Sequence, residues 1–209
     1  MSFDAKILKQ LQTAKVIPVV TVENAEQARG IAGALRAGGL NVIEITLRTD
    51  GALDAIHSVK DLYPDMCVGA GTVSNSDDLA NAKSAGADFV VTPGVTASLL
   101  KVLVASSMPA IPGAQTSSEV MTLLEAGFDV VKFFPSEACG GVDTLKALGG
   151  PLGGVQFVPT GGIGRSQVRG YLDLSNVVAV GGSWVAPSKL IEAGDWGQIE
   201  RNATSVGEL

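Results

Sequence analysis

Residues 16–47 read VIPVVTVENAEQARGIAGALRAGGLNVIEITL, and the hydrophobic pattern changes period twice within them. Residues 16–22 form a short, β-branched apolar run of strand length. Residues 24–37 repeat apolar positions at helical spacing, and residues 41–47 return to a strand-like run. Gly38 follows the helical stretch as a stop signal. Strand, helix and strand in that order make a parallel β-α-β unit whose helix covers one face of the sheet.

The same alternation continues along the chain. Further strand-like runs occupy residues 66–73, 88–92, 108–111, 130–134, 155–160 and 177–180, and the starts of all eight recur at roughly 23 residues, a spacing that suits repeated β-α units. Helical stretches at residues 79–85, 96–105 and 117–126 lie between them, two of them closed by Gly86 and Gly127. Eight consecutive units imply an α/β fold of the (β/α)8 TIM barrel type with an extra N-terminal helix. A chain of 209 residues sits near the lower size limit of that fold. A doubly wound open sheet is the competing arrangement. No Pro/Ser linker or charge run marks a boundary, so residues 1–209 read as a single barrel domain.

Composition narrows the function classes. With 46% hydrophobic residues the chain can fill a large core, which excludes disorder. A net charge of −6 offers no basic field, so neither nucleic acid nor an anionic membrane surface is an expected partner. No apolar run reaches the roughly 18 residues of a membrane span, and the first residues lack an apolar signal core. A cytoplasmic protein is the expectation. Cys67 and Cys139 stand in no ligand or redox spacing, and His57 is the only histidine. No metal site and no cofactor are therefore expected, and His57 reads as a solvated helix residue. The 26 glycines are too many for ordinary usage and follow no linker or collagen period. They cluster in Gly69-Ala70-Gly71-Thr72, Thr92-Pro93-Gly94, Ile111-Pro112-Gly113, Thr160-Gly161-Gly162 and Gly181-Gly182-Ser183, just after the strands, where barrels of this type build their sites.

Lys132 is the residue with the clearest chemistry. In Val130-Val131-Lys132-Phe133-Phe134 it is flanked by apolar strand residues, and an ammonium is costly to bury there without a purpose. Alternation puts Val130, Lys132 and Phe134 on one face. If that face looks inward, burial disfavours the charged form and leaves an amine able to attack a carbonyl. The plainer alternative is a lysine snorkelling from an edge strand. Lys101 lies at helical spacing and reads as an outward-facing lysine. The same parity in Asn41-Val42-Ile43-Glu44-Ile45-Thr46-Leu47-Arg48 projects Val42, Glu44, Thr46 and Arg48 together. Glu44 is thus an inward carboxylate suited to general acid/base work, and Arg48 at the strand end suits a substrate carboxylate. A purely structural buried salt bridge between Lys132 and Glu44 is the alternative. The loops Thr160-Gly161-Gly162-Ile163-Gly164 and Gly181-Gly182-Ser183 stand where barrels often bind phosphate through backbone N–H groups. Gly69-Ala70-Gly71-Thr72 opens like a dinucleotide fingerprint, but Ser74 occupies the place of the third glycine.

Glu44-Ile45-Thr46-Leu47-Arg48-Thr49, Gly69-Ala70-Gly71-Thr72-Val73, Lys132-Phe133-Phe134-Pro135, Pro159-Thr160-Gly161-Gly162-Ile163 and Gly181-Gly182-Ser183-Trp184 resemble, in order and spacing, the motifs of the bacterial 2-keto-3-deoxy-6-phosphogluconate (KDPG) and 4-hydroxy-2-oxoglutarate aldolases. The likeness covers nearly the whole chain. It implies a class I, Schiff-base aldolase with a (β/α)8 fold, a homotrimeric assembly and a phosphorylated 2-keto acid substrate in the Entner–Doudoroff pathway. It implies Lys132 as the Schiff-base lysine and Glu44 as the general acid/base. Arg48 and Thr72 would hold the pyruvyl carboxylate, Pro93 and Phe134 would shape the pocket, and Thr160, Gly161, Gly162, Gly182 and Ser183 would surround the distal hydroxyls and phosphate. Cys139 stands where the family often has asparagine, which argues against a catalytic thiol. An aldolase for the 6-phosphogalactonate epimer is the nearest rival reading. A non-catalytic phosphate-binding barrel is the more distant one, and it would need neither Lys132 nor Glu44 inside.

Overall fold

The computed structural model describes residues 3–209; Met1 and Ser2, the first two residues of the expected domain, lie outside the described residues. Helix α1 (Ala5–Ala14) is capped by Asp4, whose carboxylate accepts from the N–H groups of Lys6 and Ile7. Strands and helices then alternate as β1 (Val16–Val20), α2 (Ala25–Ala37), β2 (Val42–Thr46), α3 (Ala52–Leu62), β3 (Cys67–Gly71), α4 (Ser76–Ser84), β4 (Phe89–Val91) and α5 (Ala97–Ala105). The second half contributes β5 (Ala110–Ile111), β6 (Gly113–Ala114), α6 (Ser117–Glu125), β7 (Val130–Phe133), α7 (Gly141–Gly149), β8 (Gln156–Pro159), α8 (Arg165–Leu172) and β9 (Val180–Gly182). Helices α9 (Ser188–Ala193) and α10 (Trp196–Thr204) follow. None of these helices is long and apolar enough to cross a membrane.

Every strand pairing is parallel, as the β-α-β pattern requires. The order is β5-β4-β3-β2-β1-β9 in one sheet and β6-β7-β8 in another, an α/β fold whose parallel sheet is curled. Pro112 interrupts the fifth run because it has no N–H for the ladder, and the strand resumes beyond it as β6. Extended backbone therefore continues past Ile111, where the sequence pattern stops. The eighth run is shifted as well. Val177 makes only an isolated bridge to Phe157, and the regular strand begins at Val180. Gly181 and Gly182 thus belong to the strand instead of following it, and Gly69 and Gly71 are likewise inside β3. Close approach explains two of them: a Cβ on Gly69 would lie 2.4 Å from the Phe89 ring, and one on Gly181 would lie 2.2 Å from Thr160 Oγ1. At the end of α2 the left-handed residue is Gly39 (φ +87°), not Gly38, whereas Gly86 and Gly127 do take positive φ.

The two faces of the curled sheet bury different sets. Ile43, Ile45, Val68, Val131 and Phe133 pack outward against the helices. Ile17, Val42, Cys67, Phe89, Val91, Ile111, Val130 and Val158 pack inward, joined by Ile7 and Leu11 of α1. The amphipathic N-terminal helix therefore plugs one end of the interior, and each fully buried aliphatic side chain there contributes about 1.5–3 kcal/mol. His57 is exposed on α3, 3.4 Å from Asp61 one turn on, and Lys101 is exposed on α5, as their spacing suggests.

Candidate active site

Two residues further along the same inward faces, the interior changes character. Glu44 follows Val42 on β2 and Lys132 follows Val130 on β7, so alternation alone brings both charges inside. Lys132 is 6% exposed and Glu44 2% exposed. Lys132 Nζ stands 3.4 Å from Glu44 Oε1 and 5.1 Å from the centre of the Phe134 ring. A snorkelling edge lysine is excluded by this placement, since β7 is paired on both sides. The contact is long for a charge-assisted hydrogen bond, whose usual length is about 2.7–2.9 Å. Among the described residues the ammonium has no other hydrogen-bond acceptor, so two of its three protons are uncommitted. A saturated structural ion pair would not look like this. Gly71 of β3 provides the space: a Cβ there would lie 2.3 Å from Glu44 Oε1.

Above this pair the strand ends open into a cavity of about 480 Å³. Arg48, Phe134, Thr160, Gly161, Gly162 and Ser183 all line it, so the structure brings these six sequence-predicted residues together. Lys132 and Glu44 lie beneath, not on the wall. Thr72 joins through Arg48, whose Nε donates to Thr72 Oγ1 at 3.3 Å. Thr72 has φ +62°, a left-handed backbone that is strained for a β-branched residue. Pro93 is exposed outside the cavity lining, and its backbone backs onto Gly113, the register partner of Lys132. Gly182 also lies outside the lining, in β9, where a side chain would collide with the Trp184 indole.

The glycine loop after β8 is held by its acceptors. Thr160 O and Gly161 O accept from the N–H groups of Ser136 at 2.8 Å and Glu137 at 3.1 Å. Gly161 and Gly162 both take positive φ, +105° and +79°. Among the described residues, the N–H groups of Gly162 and Ser183 donate to no protein acceptor. Two residues of the cavity lining with unspent backbone donors suit an anion. Cys139 takes no part: its Sγ accepts from Gln115 Nε2 at 2.7 Å outside the cavity lining.

Sequence reading missed Thr21 and Ser188, which also line the cavity. Thr21 Oγ1 is 2.8 Å from Oγ1 of the buried Thr46, directly along β2 from Glu44. A signal for Thr21 existed, since Ile17, Val19 and Thr21 share strand parity with the inward face. Ser188 had none, because it starts α9 beyond the last strand.

A family model described as KDPG and KHG aldolase matches residues 7–202. The chain is 46% identical over 198 residues to the KHG/KDPG aldolase of Escherichia coli (strain K12), covering 95% of this chain and 93% of that protein. It is 46% identical over 192 residues to the 2-dehydro-3-deoxy-phosphogluconate aldolase of Dickeya dadantii (strain 3937), covering 91% and 90%. Among solved structures, a KDPG aldolase from Legionella pneumophila with pyruvate captured at low pH as a covalent carbinolamine intermediate matches with a TM-score of 0.92 and 40% identity, covering 95% of this chain and 97% of that one.

Proposed function

This chain belongs to the KDPG and KHG aldolase family, and from that premise we propose that it cleaves KDPG to pyruvate and glyceraldehyde 3-phosphate through a Schiff base on Lys132. 4-Hydroxy-2-oxoglutarate, giving pyruvate and glyoxylate, is the second substrate. The observation that carries this reading is the buried Lys132, 3.4 Å from one inward carboxylate and with protons to spare, under a cavity lined by an arginine and by glycine loops.

The steps follow from that placement. Once Glu44 or solvent has taken a proton, the Lys132 amine attacks the C2 ketone and forms a carbinolamine, the species trapped in the Legionella relative. Loss of water gives a protonated imine. Glu44 removes the C4 hydroxyl proton through a water, the C3–C4 bond breaks, and its electron pair moves into the iminium. Glyceraldehyde 3-phosphate leaves, the enamine is protonated at C3, and hydrolysis returns pyruvate and the free amine. The iminium serves as the electron sink that a Lewis-acid metal supplies in other aldolases.

Arg48 and Thr72 hold the pyruvyl carboxylate. Phe134 walls the site, and Pro93 shapes it from behind Gly113. Thr160, Gly161, Gly162 and Ser183 receive the distal hydroxyls and phosphate, with Gly182 giving room behind them. The reaction serves the Entner–Doudoroff pathway in the cytoplasm. We also read residues 1–209 as one domain and the two sheets as arcs of one closed (β/α)8 barrel. Its support lies at the two seams: β5 and β6 flank a single proline, and Thr160 bridges to Gly181. The homotrimer is inferred from the family resemblance alone.

Steady-state cleavage of three substrates tests the reading: KDPG, its 6-phosphogalactonate epimer and 4-hydroxy-2-oxoglutarate. The expected order places KDPG first in kcat/KM. Faster cleavage of the epimer reassigns the substrate, and release of pyruvate from none of the three refutes the proposal.

A further inference from the structure

Glu137 begins the turn that follows β7, behind the glycine loop and away from the cavity lining. Its backbone N–H holds Gly161 O, and its Cβ and Cγ pack under Gly162, 3.0 and 3.2 Å from where a side chain there would start. Its carboxylate accepts from Tyr171 Oη and from Gln167 Nε2, both on α8. Gln167 in turn accepts from the N–H of Gly164 at 2.8 Å, and Ser136 Oγ donates to Tyr171 Oη at 2.9 Å. Tyr171 and Ser136 are fully buried.

The loop is thus fastened at one end by the Glu137 backbone N–H and at the other by the Gln167 side chain, with the Glu137 carboxylate linking the two, while the Gly162 N–H between the fastenings stays unspent. The chemistry of the carboxylate makes these partners necessary. A carboxylate is an acceptor that could compete with a substrate anion for the loop N–H groups, and one so close to a phosphate would repel it. Donation from Tyr171 and Gln167 engages both of its oxygens outside the cavity lining. Burial, with Glu137 beside it, pushes the Tyr171 phenol up to about 12, so the phenol remains a donor throughout the neutral range.

We propose that Tyr171, Glu137 and Gln167 are positioning residues that hold the Gly161–Gly164 loop in its anion-accepting form and so set the preference for phosphorylated over unphosphorylated substrate. The inference rests on the reading of that loop as the phosphate side of the site. A purely structural role would instead lower stability without separating the two substrates.

Tyr171→Phe keeps the ring and removes the donor. Gln167→Leu, at an exposed position, removes the second tie with little risk to folding. Kinetics on KDPG and 4-hydroxy-2-oxoglutarate are compared with calorimetric binding of glycerol 3-phosphate. The expected result is a KM for KDPG raised about tenfold in Tyr171→Phe and about threefold in Gln167→Leu, with glycerol 3-phosphate weakened in parallel. The kinetic constants for 4-hydroxy-2-oxoglutarate stay within about twofold of the wild type. Equal losses on both substrates, or unchanged glycerol 3-phosphate binding, overturn the proposal. A wild-type protein that cleaves neither substrate refutes the aldolase reading, and the binding comparison still decides the positioning role.

Discussion

Val130 and Lys132 stand two residues apart on one face of β7, and Val42 and Glu44 do the same on β2, yet each pair crosses from one kind of interior to another. Below, the inward residues are apolar and sealed by Ile7 and Leu11 of α1. Above, the same face carries a loose ion pair, a hydroxyl pair and glycines that make room for them. The backbone ladder runs through both layers without change. Strand alternation fixes where a side chain points, and residue identity alone decides whether that layer stabilises the fold or performs chemistry. The difference also divides the expected effects of mutation: damage in the lower layer shows in stability and spares the rate, and damage in the upper layer shows in rate whatever it does to stability.

The largest loss of rate is expected at Lys132. Lys132→Ala should lower kcat by about 10⁴-fold or more, since the proposed nucleophile and electron sink are both lost. The variant also leaves the Glu44 carboxylate buried without its partner, a situation that costs about 3–5 kcal/mol in comparable pairs. The double variant Lys132→Met with Glu44→Gln should recover stability in a urea titration and remain inactive. Recovery of activity would dissolve the division between layers.

Leu11→Ala tests the lower layer. It is fully buried in the plug, and its truncation should cost about 2–5 kcal/mol in denaturant unfolding. The variant that remains folded should keep its kcat. A matching loss of kcat would mean that the plug shapes the site.

Gly71→Ala acts on the boundary. The new methyl group would displace Glu44 Oε1, and a displacement of about an ångström at a reacting group can cost around 10²-fold in rate. Stability should fall far less than in Leu11→Ala. Unaltered kinetics would show that the Glu44 position is uncritical.

The smallest effect concerns Cys67 in the lower layer. Burial, followed by the nearby Asp88 charge, pushes its thiol from the ordinary 9.0 up to about 12. A folded-state value above the unfolded one stabilises fully below pH 9 and is lost as the pH rises from 9 toward 12. Cys67→Ala should flatten that alkaline decline. In the native protein at pH 8, a thiol reagent should modify Cys139 first and reach Cys67 only on unfolding.

Much of this layering was legible in the sequence, and the reasons are specific. Parity in residues 41–48 and 130–134 needs no tertiary knowledge, so Glu44 shares a face with Val42 and Lys132 with Val130 once a sheet is assumed, and the structure turns both faces inward. Pro112 hid β6, because a proline without an N–H reads as the end of a strand when it only interrupts one. Glycine is a turn signal, so Gly181 and Gly182 read as loop in the sequence, although here they accommodate the Thr160 side chain and the Trp184 indole. The tie from Glu137 to Tyr171 spans 34 residues through side chains on a turn and a helix, which no local period reports.

Borohydride reduction in the presence of pyruvate, followed by peptide mass analysis, tests the central assignment most directly. One reduced pyruvyl group should appear on the peptide containing Lys132, and none on the Lys132→Ala protein. Labelling of another lysine, or no labelling of the wild type under conditions where it cleaves KDPG, would contradict the account.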